Sequence, residues 1–201
     1  MTKVGVRVKR PAVFLDRDGT LTEEVGYVNH ISRLRVMPGV CGALFRLNRA
    51  GVAVVVVTNQ AGAARGYFPV SFIDEVQAEL VRQIEAGGAK LDGLYYCPHH
   101  PSSKNPALAV DCDCRKPKPG LIERACAELD LDPTASFVVG DKYTDVELGH
   151  RVGAQGILVL TGYGRGEMQW FSAGWPAPPD FVAEDLNEAV DHILRRLGRD
   201  G

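Results

Sequence analysis

The chain has 201 residues, of which 45% are apolar and 24% are charged, as is usual for a globular protein. This length predicts a single domain over residues 1–201. The net charge of −2 gives no overall attraction for nucleic acid or an anionic membrane. No apolar run approaches the roughly 20 residues of a membrane span, and the first residues lack the pattern of a secretion signal. We therefore expect a cytoplasmic protein that is monomeric or only weakly associating.

Short apolar runs alternate with segments of helical spacing, which predicts an α/β fold with a mainly parallel sheet. The predicted strands are Ala12–Leu15, Val52–Val57, Gly93–Tyr96, Ser136–Val139 and Ile157–Leu160. The predicted helices are Val40–Ala50, Ser71–Ala86, Pro119–Leu129, Asp145–Val152 and Leu186–Leu197. Ser71 and Asp74 have the spacing of a capping box for the second helix. Two segments contain many residues typical of loops, and we expect both to be irregular: His99–Cys114 and Gly162–Asp180.

A pair of carboxylates follows the first predicted strand, where ligands of parallel α/β folds bind. Asp16 and Asp18 are two residues apart, so they share a face of the extended chain before Gly19 turns it. Mutual repulsion makes one carboxylate easier to protonate, which suits a nucleophile beside a general acid/base. By itself, this motif is more typical of an Asp-Gly turn with both carboxylates in solvent.

Two further groups lie at predicted strand ends or beside the first irregular segment. Asp141 and Asp145 follow the fourth strand and could complete an oxygen site for Mg²⁺. A hydroxyl, an amide and two cations can hold phosphoryl oxygens; they belong to Thr58, Asn59, Arg115 and Lys116. Each group alone is weak evidence, because turns and solvated basic patches use the same residues.

Taken together, in this order and spacing, these segments resemble the four motifs of the haloacid dehalogenase superfamily of phosphotransferases. The resemblance covers most of the chain. It implies a doubly wound, Rossmann-like sheet and a phosphatase that works through an aspartyl-phosphate. It further implies that Asp16 is the nucleophile, that Asp18 is the acid/base, and that Thr58 and Lys116 steady the phosphoryl group. The implied Mg²⁺ ligands are Asp16, Asp141 and the main-chain carbonyl of Asp18.

A second cluster of candidate ligands consists of Cys97, His99, Cys112 and Cys114. Two such pairs, 12 residues apart, suit tetrahedral Zn²⁺ with no open coordination position. A closed site of this kind would be structural and would hold a loop that buries little apolar surface. His100 is a rival to His99 as the fourth ligand. The alternative is a set of scattered buried thiols, for which a polar, proline-bearing loop offers no core.

The zinc loop narrows the resemblance to superfamily members with a very small cap, among them heptose bisphosphate and histidinol-phosphate phosphatases. The segments 95–101, 112–117 and 58–62 are similar to the heptose group. We therefore expect a small phosphorylated metabolite as substrate, above all a sugar bisphosphate, with histidinol phosphate as the alternative. The expected substrate contacts come from Glu24, Tyr27, Asn59, Arg65, Arg115 and Lys142.

Two readings from other classes also fit part of the pattern. A phospho-acceptor signalling domain places acidic residues at strand ends too, but an acid/base such as Asp18 would make its acyl phosphate short-lived. A zinc-bound binding module without catalysis would be expected to lose one of the acidic residues, and none is lost here. The enzyme is the favoured interpretation.

Overall fold

The structure is a computed structural model that describes residues 9–199. Its strands are β1 (Ala12–Leu15), β2 (Ala53–Asn59), β3 (Gly93–Cys97), β4 (Phe137–Gly140), β5 (Gln155–Val159) and β6 (Phe181–Ala183). They form one parallel sheet in the order β3-β2-β1-β4-β5-β6. This order runs outward in both directions from β1, as in doubly wound folds, and it confirms the predicted fold class.

Helices connect the strands and cover both faces of the sheet. They are α1 (Val40–Arg49), α2 (Ser71–Ala86), α3 (Gly120–Leu129), α4 (Tyr143–Arg151), α5 (Gly164–Trp170) and α6 (Leu186–Arg196). Short 3₁₀ turns occupy Ile31–Arg33, Pro133–Ala135 and Ser172–Gly174. Within residues 9–199, no helix combines the length and the apolar character that crossing a membrane requires.

The core has two layers because successive strand residues point to opposite faces of the sheet. Val13 and Leu15 of β1 pack with α1, α2 and α6 on one face. Ala12 and Phe14 pack with α3 and α4 on the other face. All four side chains are fully buried, which explains why β1 is a continuous apolar run without alternation.

The second predicted irregular segment, Gly162–Asp180, is more ordered than we expected. It contains α5 and the 3₁₀ turn at Ser172–Gly174, and a short strand, β6, follows it. Its four glycines and seven-residue helix give only a weak periodic signal, and β6 has only three residues at the sheet edge. The interpretation of this segment as irregular chain was therefore wrong.

The predicted capping box at the start of α2 is also wrong. The N-cap residue is Val70, and no side chain caps the helix. Asp74 instead accepts a hydrogen bond of 2.7 Å from the hydroxyl of Tyr96, at the end of β3. Asp74 therefore binds a residue of the neighbouring strand and does not cap its own helix.

Candidate active site

The carboxyl ends of β1, β2 and β4 converge at the point where the strand order reverses. Leu15, the last residue of β1, lies in register with Val56 of β2 and with Val139 of β4. The main-chain N–H of Asp16 donates to the carbonyl of Val139, 3.0 Å away. The sheet register therefore places Asp16 beside the β4 exit, which Asp141 follows directly.

Lys116 is the buried cation of the site. Its ammonium donates to Asp16 Oδ1 at 2.7 Å and to the Val57 carbonyl at 2.9 Å. It also pairs with Asp145 Oδ1 at 2.6 Å. Only 5% of Lys116 is exposed, and these two carboxylates raise its pKa despite its burial. Lys116 is therefore a fixed positive charge between Asp16 and Asp145.

Asn59 sets the position of the Lys116 main chain. Its side-chain amide donates to the Lys116 carbonyl at 3.2 Å, and its Oδ1 accepts from the Lys116 N–H at 3.0 Å. Both ends of the amide are thus used within the protein, although Asn59 also lines the cavity described below. The contact ties Lys116 to the end of β2.

The three buried carboxylates differ in proton affinity. Burial opposes ionisation of Asp16, but the Lys116 charge outweighs it and lowers the pKa of Asp16. Burial raises the pKa of Asp145 to about 6, although Lys116 acts against the shift. Burial, reinforced by the charge of Asp16, raises the pKa of Asp141 to about 8. Lys116 therefore favours the ionised form of Asp16. A bound cation would be required to favour the ionised form of Asp141 in the same way.

Asp141 is held in a tight backbone cradle. A Cβ added to Gly19 or Gly162 would lie about 2 Å from its Oδ2, so both positions require glycine. The main-chain N–H of Tyr163 donates to the same oxygen at 2.8 Å. The other oxygen, Oδ1, is buried and has no hydrogen-bond partner among the described residues. Carboxylate oxygens of Asp16, Asp141 and Asp145 lie within 4.8 Å of one another, a donor set that fits a hard divalent cation.

Asp18 sits in a network with two buried neighbours. Its oxygens accept two hydrogen bonds from the Arg17 guanidinium, at 3.0 and 2.7 Å. The Gln60 amide donates to Asp18 Oδ2 at 2.9 Å and to Thr58 Oγ1 at 3.0 Å, and its Oε1 accepts from Arg17 at 2.8 Å. The network connects the residues that follow β1 with the end of β2 and with Gln60, which follows it.

A cavity of about 350 Å³ opens above this cluster. Asp16, Asp18, Thr58 and Lys116 lie at its floor, and every residue predicted to contact substrate also lines it: Glu24, Tyr27, Asn59, Arg65, Arg115 and Lys142. Arg115 donates to the carbonyl of His99 at 3.1 Å, and Arg65 contacts the His100 ring at 3.0 Å. Burial raises the pKa of Glu24. Besides Lys116, the cavity lining therefore contains the cations Arg65, Arg115 and Lys142 together with the acidic Glu24.

The cysteine and histidine cluster lies next to this cavity. Ligand atoms of Cys97, His99, Cys112 and Cys114 are within 4.8 Å of one another, and none of the cysteines is in a disulfide. His99 Nδ1 lies 3.3 Å from Cys114 Sγ, whereas the His100 ring accepts from the Ser102 N–H and faces Arg65. The structure therefore brings together the four predicted residues, with His99 and not His100, in a group that could hold a metal ion.

The chain is similar to known proteins both in sequence and in fold. A family described as HAD-hydrolase-like matches residues 113–189. The D-glycero-D-manno-heptose-1,7-bisphosphate 7-phosphatase of Thermosynechococcus vestitus is 40% identical over 195 residues, 94% of this chain and 97% of that protein. The D-glycero-beta-D-manno-heptose-1,7-bisphosphate 7-phosphatase of Haemophilus influenzae is 44% identical over 192 residues, which are 92% of this chain and 97% of that protein. The chain belongs to the haloacid dehalogenase-like phosphatases.

A solved structure agrees with this family membership. The D,D-heptose 1,7-bisphosphate phosphatase from B. bronchiseptica, complexed with magnesium and phosphate, matches with a TM-score of 0.80 and 30% identity. The match covers 92% of this chain and 99% of that structure. The predicted superfamily is confirmed, and the protein is a phosphatase and not a signalling or binding module.

Three residues of this phosphatase site were missed by sequence reasoning. Arg17 and Gln60 stood inside recognised motifs but had no assigned role, because no pattern shows that their side chains turn toward Asp18. Tyr163 belongs to the segment for which no role was expected, yet its ring lies 4.2 Å from the Lys142 ammonium and lines the cavity. The glycines on either side of Tyr163 could have signalled a close approach of backbone to a buried group.

Proposed function

We propose that this chain removes the 7-phosphate of D-glycero-D-manno-heptose 1,7-bisphosphate through a phosphorylated Asp16. The observation that carries the proposal is the buried group of Asp16, Asp141, Asp145 and Lys116, of which all but Asp141 line a cavity that also contains Arg65, Arg115 and Lys142. Similarity over nearly the whole chain to two heptose-1,7-bisphosphate 7-phosphatases supports this substrate.

The first half of the reaction forms the covalent intermediate. Lys116 binds Asp16 Oδ1, so Oδ2 is the oxygen available to attack phosphorus. The new bond joins Oδ2 to phosphorus while the bond from phosphorus to the sugar oxygen breaks. The leaving oxygen keeps the electron pair and takes a proton from Asp18. Thr58 and Lys116 hold the phosphoryl oxygens during the transfer.

The second half releases phosphate. Asp18, now a carboxylate, takes a proton from water as the water oxygen attacks phosphorus. The bond to Asp16 breaks, its electron pair returns to the carboxylate, and inorganic phosphate leaves. Both aspartates end in their starting states, and the net reaction consumes one water.

Two metal ions belong to this proposal. Asp16, Asp141 and the carbonyl of Asp18 would hold Mg²⁺, for which the buried, unpartnered Asp141 Oδ1 is suited. When bound, Mg²⁺ offsets the repulsion between the carboxylates and a phosphate dianion. Cys97, His99, Cys112 and Cys114 would hold Zn²⁺, since three thiolates and one imidazole are a donor set of structural zinc sites.

The single domain, the monomeric state and the cytoplasmic location stay predictions from the sequence.

The rim of the cavity supports a bisphosphate as substrate. Arg65, Arg115 and Lys142 line the space beyond Lys116 and can bind a second anion. Histidinol phosphate brings an ammonium in place of that anion, and these cations would repel it.

A substrate comparison tests the proposal. With Mg²⁺ present, kcat/KM should be highest for heptose 1,7-bisphosphate, lower for heptose 7-phosphate, which lacks the second anion, and lowest for histidinol phosphate. The product of the bisphosphate should be heptose 1-phosphate. Preference for histidinol phosphate, or release of the 1-phosphate, would contradict the assignment.

A further inference from the structure

Arg17 is an unusual residue to find buried at this position. It is 1% exposed, and its guanidinium donates hydrogen bonds to both oxygens of Asp18. Its remaining nitrogen, Nη1, is buried without a hydrogen-bond partner among the described residues. A buried guanidinium with an unmet donor costs stability, and replacing a whole buried ion pair by apolar side chains of similar volume is often neutral or stabilising. The fold alone therefore gives no reason for an arginine here.

Gln60 completes the contact on the second oxygen of Asp18. It is 7% exposed, and its main-chain N–H donates to the Cys97 carbonyl at 2.8 Å. Its backbone is therefore fixed by β3, and its amide bridges Asp18, Arg17 and Thr58. Every polar atom of the amide is used, which leaves the side chain one orientation.

We propose that Arg17 and Gln60 are positioning residues that hold the Asp18 side chain in one orientation for hydrolysis of the phosphorylated enzyme. The proposal rests on the function proposed above, in which Asp18 is the acid/base. The guanidinium of Arg17 binds both oxygens of Asp18 and so fixes the plane of its carboxyl group, and the Gln60 amide adds a third hydrogen bond to Oδ2. A general base must lie within hydrogen-bond reach of the water that it activates, so an Asp18 side chain released from these bonds would be a poorer base.

A substrate whose leaving group needs no proton separates the two halves of the reaction by experiment. With 2,4-dinitrophenyl phosphate the leaving phenolate departs without a proton, so formation of phosphorylated Asp16 does not depend on Asp18. Hydrolysis of that intermediate still needs a base. Rapid-quench measurement of the first turnover reports the first step, and dinitrophenolate release in the steady state is limited by the second.

The test uses the Mg²⁺-loaded enzyme and its Gln60→Met and Arg17→Lys variants. Gln60→Met keeps the volume of the side chain and removes its hydrogen bonds, and Arg17→Lys keeps the charge and removes the fork. We expect the first-turnover rate to stay within about threefold of wild type and the steady-state rate to fall about 10–100-fold, part of the roughly 10²–10⁴-fold that a general base contributes. Phosphorylated enzyme should accumulate in both variants.

Two control variants are measured in the same way. Gln77→Met removes another buried glutamine, one on α2 that does not line the cavity, and it should change neither rate. Asp18→Asn should show the same split as Gln60→Met, only larger. Equal losses in both rates for Gln60→Met and Arg17→Lys, with the split intact in Asp18→Asn, would overturn the inference alone. Absence of the split in Asp18→Asn would overturn the acid/base role itself, and the inference with it.

Discussion

Arg115 and Lys116 are neighbours in sequence but depend on two different parts of the molecule. Lys116 is bound to the sheet, through Asn59 and the Val57 carbonyl, and it is buried between carboxylates. Arg115 is bound to the loop that follows β3, through the carbonyl of His99. The sheet edge is held by the core, whereas the loop has few buried apolar side chains and contributes His99, Cys112 and Cys114 to the cluster proposed to hold Zn²⁺. The chemistry and the recognition of the substrate can therefore be separated by experiment.

The largest expected effect lies on the sheet edge. Asp18→Asn removes the proton donor and acceptor but keeps the shape of the side chain, so turnover of the heptose bisphosphate should fall roughly 10²–10⁴-fold. Because the buried Arg17 guanidinium loses its counter-charge, Tm should also fall, and circular dichroism can check that the variant is still folded at the assay temperature. A variant with near-wild-type turnover would remove Asp18 from the proton transfers.

Arg115→Ala should damage recognition and spare the chemistry. One lost charge-assisted hydrogen bond costs about 1.5–3 kcal/mol, or roughly 10–150-fold in kcat/KM for the bisphosphate. A small aryl phosphate, which has no second anion, should lose much less. Lys116→Ala is the matched variant, and it should reduce kcat/KM for both substrates. If Arg115→Ala reduces the two substrates equally, the separation between loop and sheet edge is wrong.

Mg²⁺ should stabilise the sheet edge through Asp141. At about 100 times Kd, a ligand adds about 2.7 kcal/mol to the unfolding free energy, or roughly 5–10 °C in Tm for a chain of this size. Because burial raises the pKa of Asp141 to about 8, the metal-free protein binds a proton there that the unfolded chain, with a pKa of 3.8, has released. Stability of the metal-free protein therefore falls as pH rises from about 4 to about 8.

The Mg²⁺-dependent rise in Tm should accordingly grow over that pH range and vanish in Asp141→Asn. Scanning calorimetry with and without Mg²⁺ measures it without reference to activity. An undiminished Mg²⁺ effect in Asp141→Asn would place the cation elsewhere.

Removal of Zn²⁺ should give the smallest and most local effect. Cys112→Ser breaks the cluster, so amide protons of the loop between β3 and α3 should lose their protection against exchange, while those of β1, β2 and β4 keep it. Kinetically, Cys112→Ser should resemble Arg115→Ala and not Lys116→Ala. Cys126→Ser, at a buried cysteine outside the cluster, is the matched control and should leave the loop protected. Loss of protection across the whole sheet would show that the cluster holds the core as well.

The sequence predicted five of the six strands, with bounds that differ from the structure by one or two residues for β2 to β5. β1 and α2 have the predicted bounds, because a continuous apolar run and a long amphipathic repeat are strong signals. Asp16, Asp18 and Thr58 could be grouped because parallel strands bring their carboxyl ends to one edge. Lys116 follows no strand, and only the resemblance to the superfamily motifs grouped it with them. The roles of Arg17, Gln60 and Tyr163 depend on side-chain direction and on loop packing, which no local pattern encodes.

Phosphorylation of Asp16 is the central claim, and trapping the intermediate tests it most directly. Asp18→Asn enzyme with Mg²⁺ would be mixed with 2,4-dinitrophenyl phosphate, quenched in acid within the first turnover, digested and analysed by mass spectrometry. The account predicts one phosphoryl group per chain, on the peptide that contains Asp16, and none in Asp16→Asn enzyme treated in the same way. A phosphoryl group on another residue, or dinitrophenolate released by Asp16→Asn at the wild-type rate, would contradict it.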